Sequence, residues 1–374
     1  MYRNLTRKFI TLMNDNNKER RRVSFLEATR IFEAPERDTE PDGRSGMVMW
    51  GSSNSYPEYL HGLYMDVPTL HTVIDGTVQY VTGNGAALAR PLHDTDAVNR
   101  AGMTATEMVR ALAADLFEFG GFALQVIRNR TGYPVELYPV PLRYLRSDRE
   151  GEQFFYNESF ARKDRRAMRR DTVIYPKFMA DGKSPASILF YKNDQTRTYP
   201  VPVWNAAAVS CEIERQIDRF HLNSICNGFA GSYIVNFNNG VPEDEIKDEI
   251  ERGFNDKFSG SENAGRIIFS WNDNKDNAVT LEKMSIDDFG EKYDKLASRS
   301  RTQIYNAFRA NPNLFGLSTE NIGFSKEEYL QAFELYNRTQ IVPVQKIIKD
   351  AVRKILPGKP LTIKPFNMEG VQDE

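Results

Sequence analysis

Two long helical stretches on either side of a short insert constrain the fold of this chain most. Residues 205–227 contain neither glycine nor proline, and their apolar side chains recur at helical spacing. The members of this stripe are Val209, Ile213, Ile217 and Phe220. Residues 285–310 carry a second apolar line behind Ser285, which is a good N-cap. At 1.5 Å per residue, the two helices would be roughly 35 and 39 Å long.

Each long helix offers only one narrow stripe to its partner, so the rest of its apolar surface needs other neighbours. These neighbours belong either to residues 50–204 of the same chain or to identical chains in a ring, and the sequence leaves both arrangements open. The insert between the helices reads as strand, acidic helix and strand. Its elements are Ser232–Phe237, a helix from about Pro242, Arg266–Ser270 and a second strand near Val279–Leu281.

Residues 50–204 predict a mixed α+β unit. A helical pattern from Leu70 to Val81 ends at two glycines, and Thr104 with Glu107 forms the capping box of a second helix. Alternating apolar residues then predict strands at Phe122–Arg128, Val135–Val140, Phe154–Tyr156, Thr172–Tyr175 and Ile188–Tyr191. The first two strands form a hairpin, and the prolines of the second place it at a sheet edge.

The C-terminal part predicts one long, kinked helix. Ser325 and Glu328 form another capping box, and the helical pattern continues to Leu356. Pro343 lies inside it and removes a backbone donor, which predicts a kink. The last apolar stretch, Leu361–Phe366, predicts a terminal strand.

Charge and the remaining composition exclude several classes of protein. Residues 1–49 are polar and basic with proline and glycine, which is typical of an arm and linker. Lys and Arg number 49 against 51 Asp and Glu, so any DNA contact must be local. The apolar runs are too short to span a bilayer, and the N-terminus lacks a signal-peptide pattern. We therefore expect a cytoplasmic origin and no membrane partner.

The sequence offers no constellation for catalysis. No phosphate-binding loop occurs, and the Gly-Asn-Gly at residues 83–85 lacks the third glycine of a dinucleotide fingerprint. Neither the four histidines nor the two cysteines, Cys211 and Cys226, come at metal-ligand spacing. Asp94 and Asp96 fit turn chemistry better than a metal site. We expect no enzyme activity, no cofactor and no bound metal.

Several stretches, in this order and spacing, are similar to the portal proteins of long-tailed bacteriophages. The most specific is Asn-Pro-Asn-Leu-Phe-Gly-Leu-Ser-Thr at residues 311–319, followed by Ser-Lys-Glu-Glu at 325–328. Supporting stretches are residues 257–266, 56–64 and the turn at 83–85. The resemblance covers about residues 50–356.

The resemblance implies an α+β portal fold and assigns a part to each segment. The parts are an arm at 1–49, an α/β wing at 50–204, stem helices at 205–228 and 284–310, a β-α-β clip at 229–283, a tunnel loop at 311–324, a long kinked helix at 325–356 and a tail at 357–374. It also implies a homo-oligomeric ring, typically of twelve subunits, at a capsid vertex. Double-stranded DNA passes through such a ring without sequence recognition, during packaging and again during ejection.

The same resemblance implies partners and gives candidate site residues. The partners are the terminase large subunit, whose motor hydrolyses ATP, then a head-tail adaptor, and the major capsid or scaffolding protein. The tunnel loop would present Asn313, Leu314, Phe315 and Leu317 to DNA. A basic stripe, Lys292, Lys295 and Arg299, would meet phosphates in the channel. The docking face of the clip would be Glu243, Asp244, Glu245, Asp248 and Glu249. A basic wing cluster comprises Arg162, Lys163, Arg165, Arg166, Arg169 and Arg170.

Each of these assignments has a simpler alternative. Leu314 and Phe315 could be buried beside the following helix, the basic stripe could pair with acids, and the acidic residues could form a solvated helix face. The wing cluster could be an exposed loop or a patch between subunits. For the whole chain, the alternative is another phage adaptor or DNA-binding protein that acts as a monomer or dimer. We expect the protein in the virion and, during assembly, in the host cytoplasm.

Overall fold

The computed structural model describes residues 38–41, 46–51, 54–93, 96–162, 171–226, 233–237, 245–250, 267–271, 287–316 and 326–366. They belong to two units. The larger unit contains the described residues up to Arg219 and those from Asp287 onward. The smaller unit contains the described residues between Phe220 and Trp271.

Three helices form one layer of the larger unit. They are α1 (Tyr56–Asp66), α2 (Pro68–Thr82) and α3 (Ala105–Phe119). α2 ends at Gly83, whose φ is 60° and where a side chain would strike the carbonyl oxygen of Lys364. The capping box that the sequence predicts at Thr104 and Glu107 is confirmed, since both of its hydrogen bonds are present.

The larger unit also contains two antiparallel three-stranded sheets, and the first of them packs against α3. The strands of the first are β4 (Gly121–Arg128), β5 (Pro134–Val140) and β9 (Ala186–Lys192), in the order β5-β4-β9. The strands of the second are β6 (Leu145–Ser147), β7 (Gln153–Tyr156) and β8 (Val173–Pro176). The predicted hairpin and the edge position of its proline-containing strand are both confirmed.

The described chain differs from the sequence prediction near its start. β1 (Asp38–Pro41) pairs with β2 (Val48–Trp50), where the sequence predicts an arm and linker. Trp50 is buried, and its ring stacks on Tyr199 with 4.5 Å between centroids. Pro41, one of the residues that suggest a linker, is the last residue of β1, and Gly46 lies two residues before β2, so local composition alone misses this pairing.

The long helices are α4 (Ala208–Cys226), preceded by a 3₁₀ turn at Val203–Ala207, and α5 (Asp287–Ala307). Their apolar residues do not all face inward. In α4, Cys211 and Ile217 are buried, whereas Val209 is 66% exposed. The predicted stripe of α4 therefore divides between the chain's own core and the surface.

The C-terminal helix is interrupted as the sequence predicts. α6 (Lys326–Tyr336) continues through a π-helical segment, Asn337–Ile341, into α7 (Val342–Ile355). Pro343 stands in the first turn of α7, where its missing N–H removes one bond of a continuous α-helix. The π-helical segment directly before it marks the interruption. The predicted terminal strand is present as β12 (Leu361–Ile363), which pairs with β3 (Ala86–Leu88).

The smaller unit contains a parallel strand pair. β10 (Tyr233–Phe237) pairs with β11 (Ile267–Trp271) in register, and residues 245–250 between them are helical. Parallel neighbours need a crossover connection, and strand, helix and strand is the usual arrangement. The predicted strand near Val279–Leu281 lies outside the described residues.

Candidate functional site

A short 3₁₀ segment, Pro312–Phe315, connects the end of α5 to the core. Asn311 caps it, because its side-chain oxygen accepts a hydrogen bond from the backbone N–H of Asn313 at 3.1 Å. Gly316 ends it in the left-handed region, with a φ of 81°. The hydroxyl of Tyr80 donates to the carbonyl oxygen of Leu314 at 2.6 Å. The segment is thus fixed at its start, centre and end.

The side chain of Phe315 is seated against α2 at Gly76. A methyl group at Gly76 would lie 2.6 Å from Cδ1 of Phe315, so only glycine permits this approach. The Phe315 ring also meets Tyr80, Tyr305 and Tyr336, with centroids 6.0, 6.1 and 5.9 Å away. We call Phe315 and these three tyrosines the aromatic anchor.

The aromatic anchor ties four elements together. Tyr80 belongs to α2, Tyr305 to α5 and Tyr336 to α6, while Phe315 belongs to the connecting segment. The hydroxyl groups of Tyr336 and Thr77 lie 2.9 Å apart within hydrogen-bonding distance. Burial raises the pKa of Tyr336 to about 12, so both hydroxyls keep their protons at neutral pH. The connecting segment is therefore part of the core rather than a surface turn.

The residues predicted to face DNA in the tunnel loop lie as follows. Leu314 is only 4% exposed, and Asn313 and Phe315 are half-buried. In this conformation Leu314 and Phe315 match the alternative that buries them beside neighbouring helices. Leu317 lies outside the described residues, so its place in the loop stays a prediction.

The first half of α4 and the last third of α5 meet α2 at the buried carboxyl group of Glu214. Glu214 of α4 is 4% exposed, and its Oε1 accepts a hydrogen bond of 2.7 Å from the hydroxyl of Thr69. Nε of Arg301 of α5 lies 4.0 Å from the same oxygen. Tyr305 of α5 is buried as well. We call Thr69, Glu214, Arg301 and Tyr305 the root cluster.

Burial dominates the electrostatics of the root cluster. It raises the pKa of Glu214, while Thr69 and Arg301 partly oppose the rise. Burial, with the Glu214 charge as a smaller cause, also raises the pKa of Tyr305 to about 12. Among the described residues, neither Oε2 of Glu214 nor the Tyr305 hydroxyl has a hydrogen-bond partner. The root cluster is therefore a costly place for a charge, and it lies where both long helices leave the core.

Ion pairs join α4 to the end of α1. Arg215 and Arg219 lie 3.5 and 3.1 Å from Oδ2 of Asp66 at the end of α1. Arg215 also pairs with Glu212 one turn earlier. These contacts fix the first half of α4 to its own chain and leave the side that bears Val209 exposed.

The basic stripe of α5 is only partly described. Lys295 and Arg299 are exposed, and the side chain of Lys292 lies outside the described residues. Ser300 and Ile304, on another face of α5, are buried. The two described cations thus face away from the core, as a phosphate-contacting stripe requires.

The other predicted site residues lie at the edge of the described structure. Glu245, Asp248 and Glu249 are exposed on the helix at 245–250. Glu243 and Asp244 lie outside the described residues, as do the side chain of Arg162 and residues 163–170 of the basic wing cluster. Of the predicted clip face, three carboxylates are thus placed on one exposed helical segment.

Sequence reasoning missed the root cluster and the seat of Phe315. The available signal was the position of Glu214, which directly follows Ile213 of the apolar stripe. A carboxylate buried at such a position requires a hydrogen-bond or charge partner elsewhere in the chain. The pairing of Gly76 with Phe315 gave no local signal, since the two residues are far apart in sequence.

The described residues form neither a membrane span nor a cluster of metal-binding side chains. No described helix combines the length and apolar character that a membrane span requires. Within the same part of the chain, no group of three or more His, Cys, Asp or Glu residues is arranged to hold a metal ion.

The model of the phage portal protein family matches residues 84–372, about three quarters of the chain. No match was found among curated proteins. Three solved structures are similar to this chain. A chain in the virion structure of a native gene transfer agent particle is 16% identical to this chain, the similarity covers 84% of each chain, and the TM-score is 0.53.

The neck of the native gene transfer agent particle, with C12 symmetry, gives 15% identity and a TM-score of 0.52. That similarity covers 84% of this chain and 85% of the other. An HK97 family phage portal protein from Corynebacterium diphtheriae gives 12% identity over 82% of this chain and 94% of the other, with a TM-score of 0.49. The similarity to the two gene transfer agent chains supports a shared fold across most of the molecule.

Proposed function

Because this chain belongs to the phage portal protein family, we propose that its copies form a ring at one vertex of a capsid. Double-stranded DNA enters through the ring during packaging and leaves through it during ejection. The protein has a structural role in this proposal, and ATP hydrolysis belongs to the terminase that docks on it. The ring is assembled in the host cytoplasm and retained in the virion.

The observation that carries the proposal is the exposed apolar surface of the two long helices. Val209 of α4 is 66% exposed and Leu296 of α5 is 43% exposed, although each lies in a helix whose other face is buried. An isolated chain gains nothing from leaving these side chains in water. Neighbouring copies in a ring would cover them, and the C12 symmetry of the similar neck structure supports twelve copies.

The channel contacts follow from the exposed cations of α5. We propose that Lys292, Lys295 and Arg299 touch phosphates, which gives contact without base recognition. Few such contacts are needed, because each one that releases counterions adds affinity and slows sliding. A chain with 49 basic and 51 acidic residues satisfies this requirement.

The aromatic anchor gives the tunnel loop a fixed starting point. With Leu314 and Phe315 held in the core, we propose that Asn313 and Leu317 border the part of the loop that approaches DNA. The anchor would then transmit the position of α5 to the loop, since Tyr305 and Phe315 are in contact through their rings.

Docking surfaces complete the proposal. The exposed carboxylates Glu245, Asp248 and Glu249, with Glu243 and Asp244, would receive the terminase large subunit and later the head-tail adaptor. The basic wing cluster would face an acidic neighbour, either the next subunit or the capsid or scaffolding protein. Charge complementarity of this kind favours fast and orderly exchange of partners.

Negative-stain electron microscopy of the purified full chain, with mass photometry of the same sample, tests the proposed ring. We expect particles of about twelve copies with a central hole. A uniform monomer or dimer, even after incubation with its scaffolding partner, would contradict the proposal. It would favour the alternative of an adaptor that binds DNA without forming a ring.

A further inference from the structure

The helix α7 has two sharply different faces. Its buried face consists of Gln345, Ile348, Ala351, Val352 and Ile355. The opposite side carries Lys346, Lys349 and Arg353, and the only apolar residue of α7 that shares this side is Val342, one turn before Lys346 and 48% exposed. Lys346 and Arg353 are exposed, and Lys349 is half-buried. We call these three cations the α7 basic face.

More cations surround the α7 basic face. From residue 342 to residue 366 the sequence contains six cations and one acid, Asp350. The cations outside the face are Lys354, Lys359 and Lys364. Asp350 forms an ion pair of 2.8 Å with Arg353, so one acid offsets one cation. This excess is local, because the whole chain has a net charge of −2.

The stability of α7 accounts for only some of these charges. Arg353 and Lys354 lie in the last turn, where cations favour the negative end of the helix dipole. Lys346 and Lys349 lie before that turn and gain no such benefit. The helix is already held by its buried face and by Gln345, which donates a hydrogen bond of 2.9 Å to the carbonyl oxygen of Val81. Lys346 and Lys349 are therefore unexplained by the fold.

We propose that the α7 basic face binds the phosphate backbone of double-stranded DNA outside the channel. From Lys346 to Arg353 the helix rises about 10 Å, and over that length a duplex presents a charge every ~1.7 Å. A protein partner fits less well, because protein interfaces place several apolar and aromatic residues at their centre, whereas a single valine, Val342, accompanies the cations at one end of this face. Phosphate contacts from flexible cations read no sequence. This proposal rests on the proposed function in one respect, because the proposed function identifies the bound polyanion as double-stranded DNA.

Covalently closed circular duplex DNA separates this site from the channel, because a closed circle cannot thread a preassembled ring. We would measure binding of the full chain to such circles by fluorescence anisotropy across a series of salt concentrations. The test variant is Lys346→Gln with Lys349→Gln. The matched control is Arg130→Gln with Lys183→Gln, which removes two exposed cations elsewhere in the wing.

The wild type and the control should bind circles with the same steep salt dependence. The test variant should bind about tenfold more weakly near 0.1 M salt, and its log-log salt slope should fall by about 1.8, the value for two lost phosphate contacts. Equal binding by test variant and wild type would overturn the proposal, as would a wild type that does not bind circles.

Unchanged circle binding with a loss of capsid incorporation would also overturn it, in favour of an acidic protein partner. Mass photometry of the same samples reports ring formation separately. A protein that forms no ring but shows the predicted difference between variants would contradict the proposed function and leave this site supported.

Discussion

The two ends of helix α5 meet opposite environments. Near its C-terminal end, Ser300 and Ile304 are buried against the chain's own core. Two to three turns before Ile304, Lys295 and Leu296 are exposed. Both parts are helical and both contain apolar residues, so helical periodicity does not distinguish them. The difference teaches that one part of the helix is folded by its own chain, whereas the other presents surface for a neighbour.

The largest expected effect separates these two parts directly. Ile304→Ala should lower the free energy of unfolding by about 2–5 kcal/mol, because it leaves a cavity in the core. Leu296→Ala, the matched exposed position, should change it by less than about 0.5 kcal/mol. Urea unfolding of the unassembled chain measures both values. Similar losses at the two positions would contradict the division of α5.

The second prediction concerns the seat of Phe315. Gly76→Ala should destabilise the wild type by about 1–3 kcal/mol, because the added methyl group overlaps the ring. In a Phe315→Ala background the same change should stabilise the protein by about 0.5–1 kcal/mol, since alanine is the better helix former.

This double-mutant cycle predicts a reversal of sign, which thermal or urea unfolding can detect. If Gly76→Ala had the same effect in both backgrounds, Phe315 would not occupy the place at Gly76 described above. The connecting segment would then be free to move independently of the core.

The third prediction concerns the pH dependence of the root cluster. The pKa of Glu214 is raised in the folded chain, so between its unfolded and folded pKa the folded state binds more protons. Stability must therefore fall as the pH rises through that window and level off above the folded pKa.

Glu214→Gln should flatten this part of the stability profile and keep the hydrogen bond from Thr69, because an amide oxygen also accepts. Glu249→Gln, which changes an exposed carboxylate, should leave the profile as in the wild type. Unfolding midpoints between about pH 4 and pH 8 would show the difference. A profile unchanged by Glu214→Gln would contradict the burial of that carboxyl group.

The smallest effect on stability is expected at the exposed cations of α5. Replacing Lys292, Lys295 and Arg299 together by Gln should change the free energy of unfolding by less than about 0.5 kcal/mol. The same variant should alter packaging and ejection of DNA if these residues contact phosphates. Unchanged DNA transport in assembled particles would exclude the proposed channel stripe.

Local signals in the sequence predicted much of this fold. The Thr104 and Glu107 cap, the hairpin of β4 and β5, and the break before Pro343 each depend on residues close together in the chain. Such signals are readable because a cap, a turn or a missing N–H acts within one or two helical turns.

The parts that the sequence did not predict depend on distant contacts. Val209 and Ile217 belong to one predicted apolar stripe, and only the packing of the folded chain decides that Ile217 is covered while Val209 is not. Glu214 required Thr69, and Phe315 required the bare backbone at Gly76. Residues 317–325 lie outside the described structure, so the DNA-facing residues of the proposed tunnel loop remain a prediction.

The most direct test of the division between core and interface is a polar double variant of the exposed positions. The double variant carries Val209→Asp and Leu296→Asp in one chain, and we would compare it with the wild type by mass photometry and circular dichroism. We expect a folded variant with wild-type helicity that no longer forms rings of about twelve copies. Rings as abundant as those of the wild type would contradict this expectation.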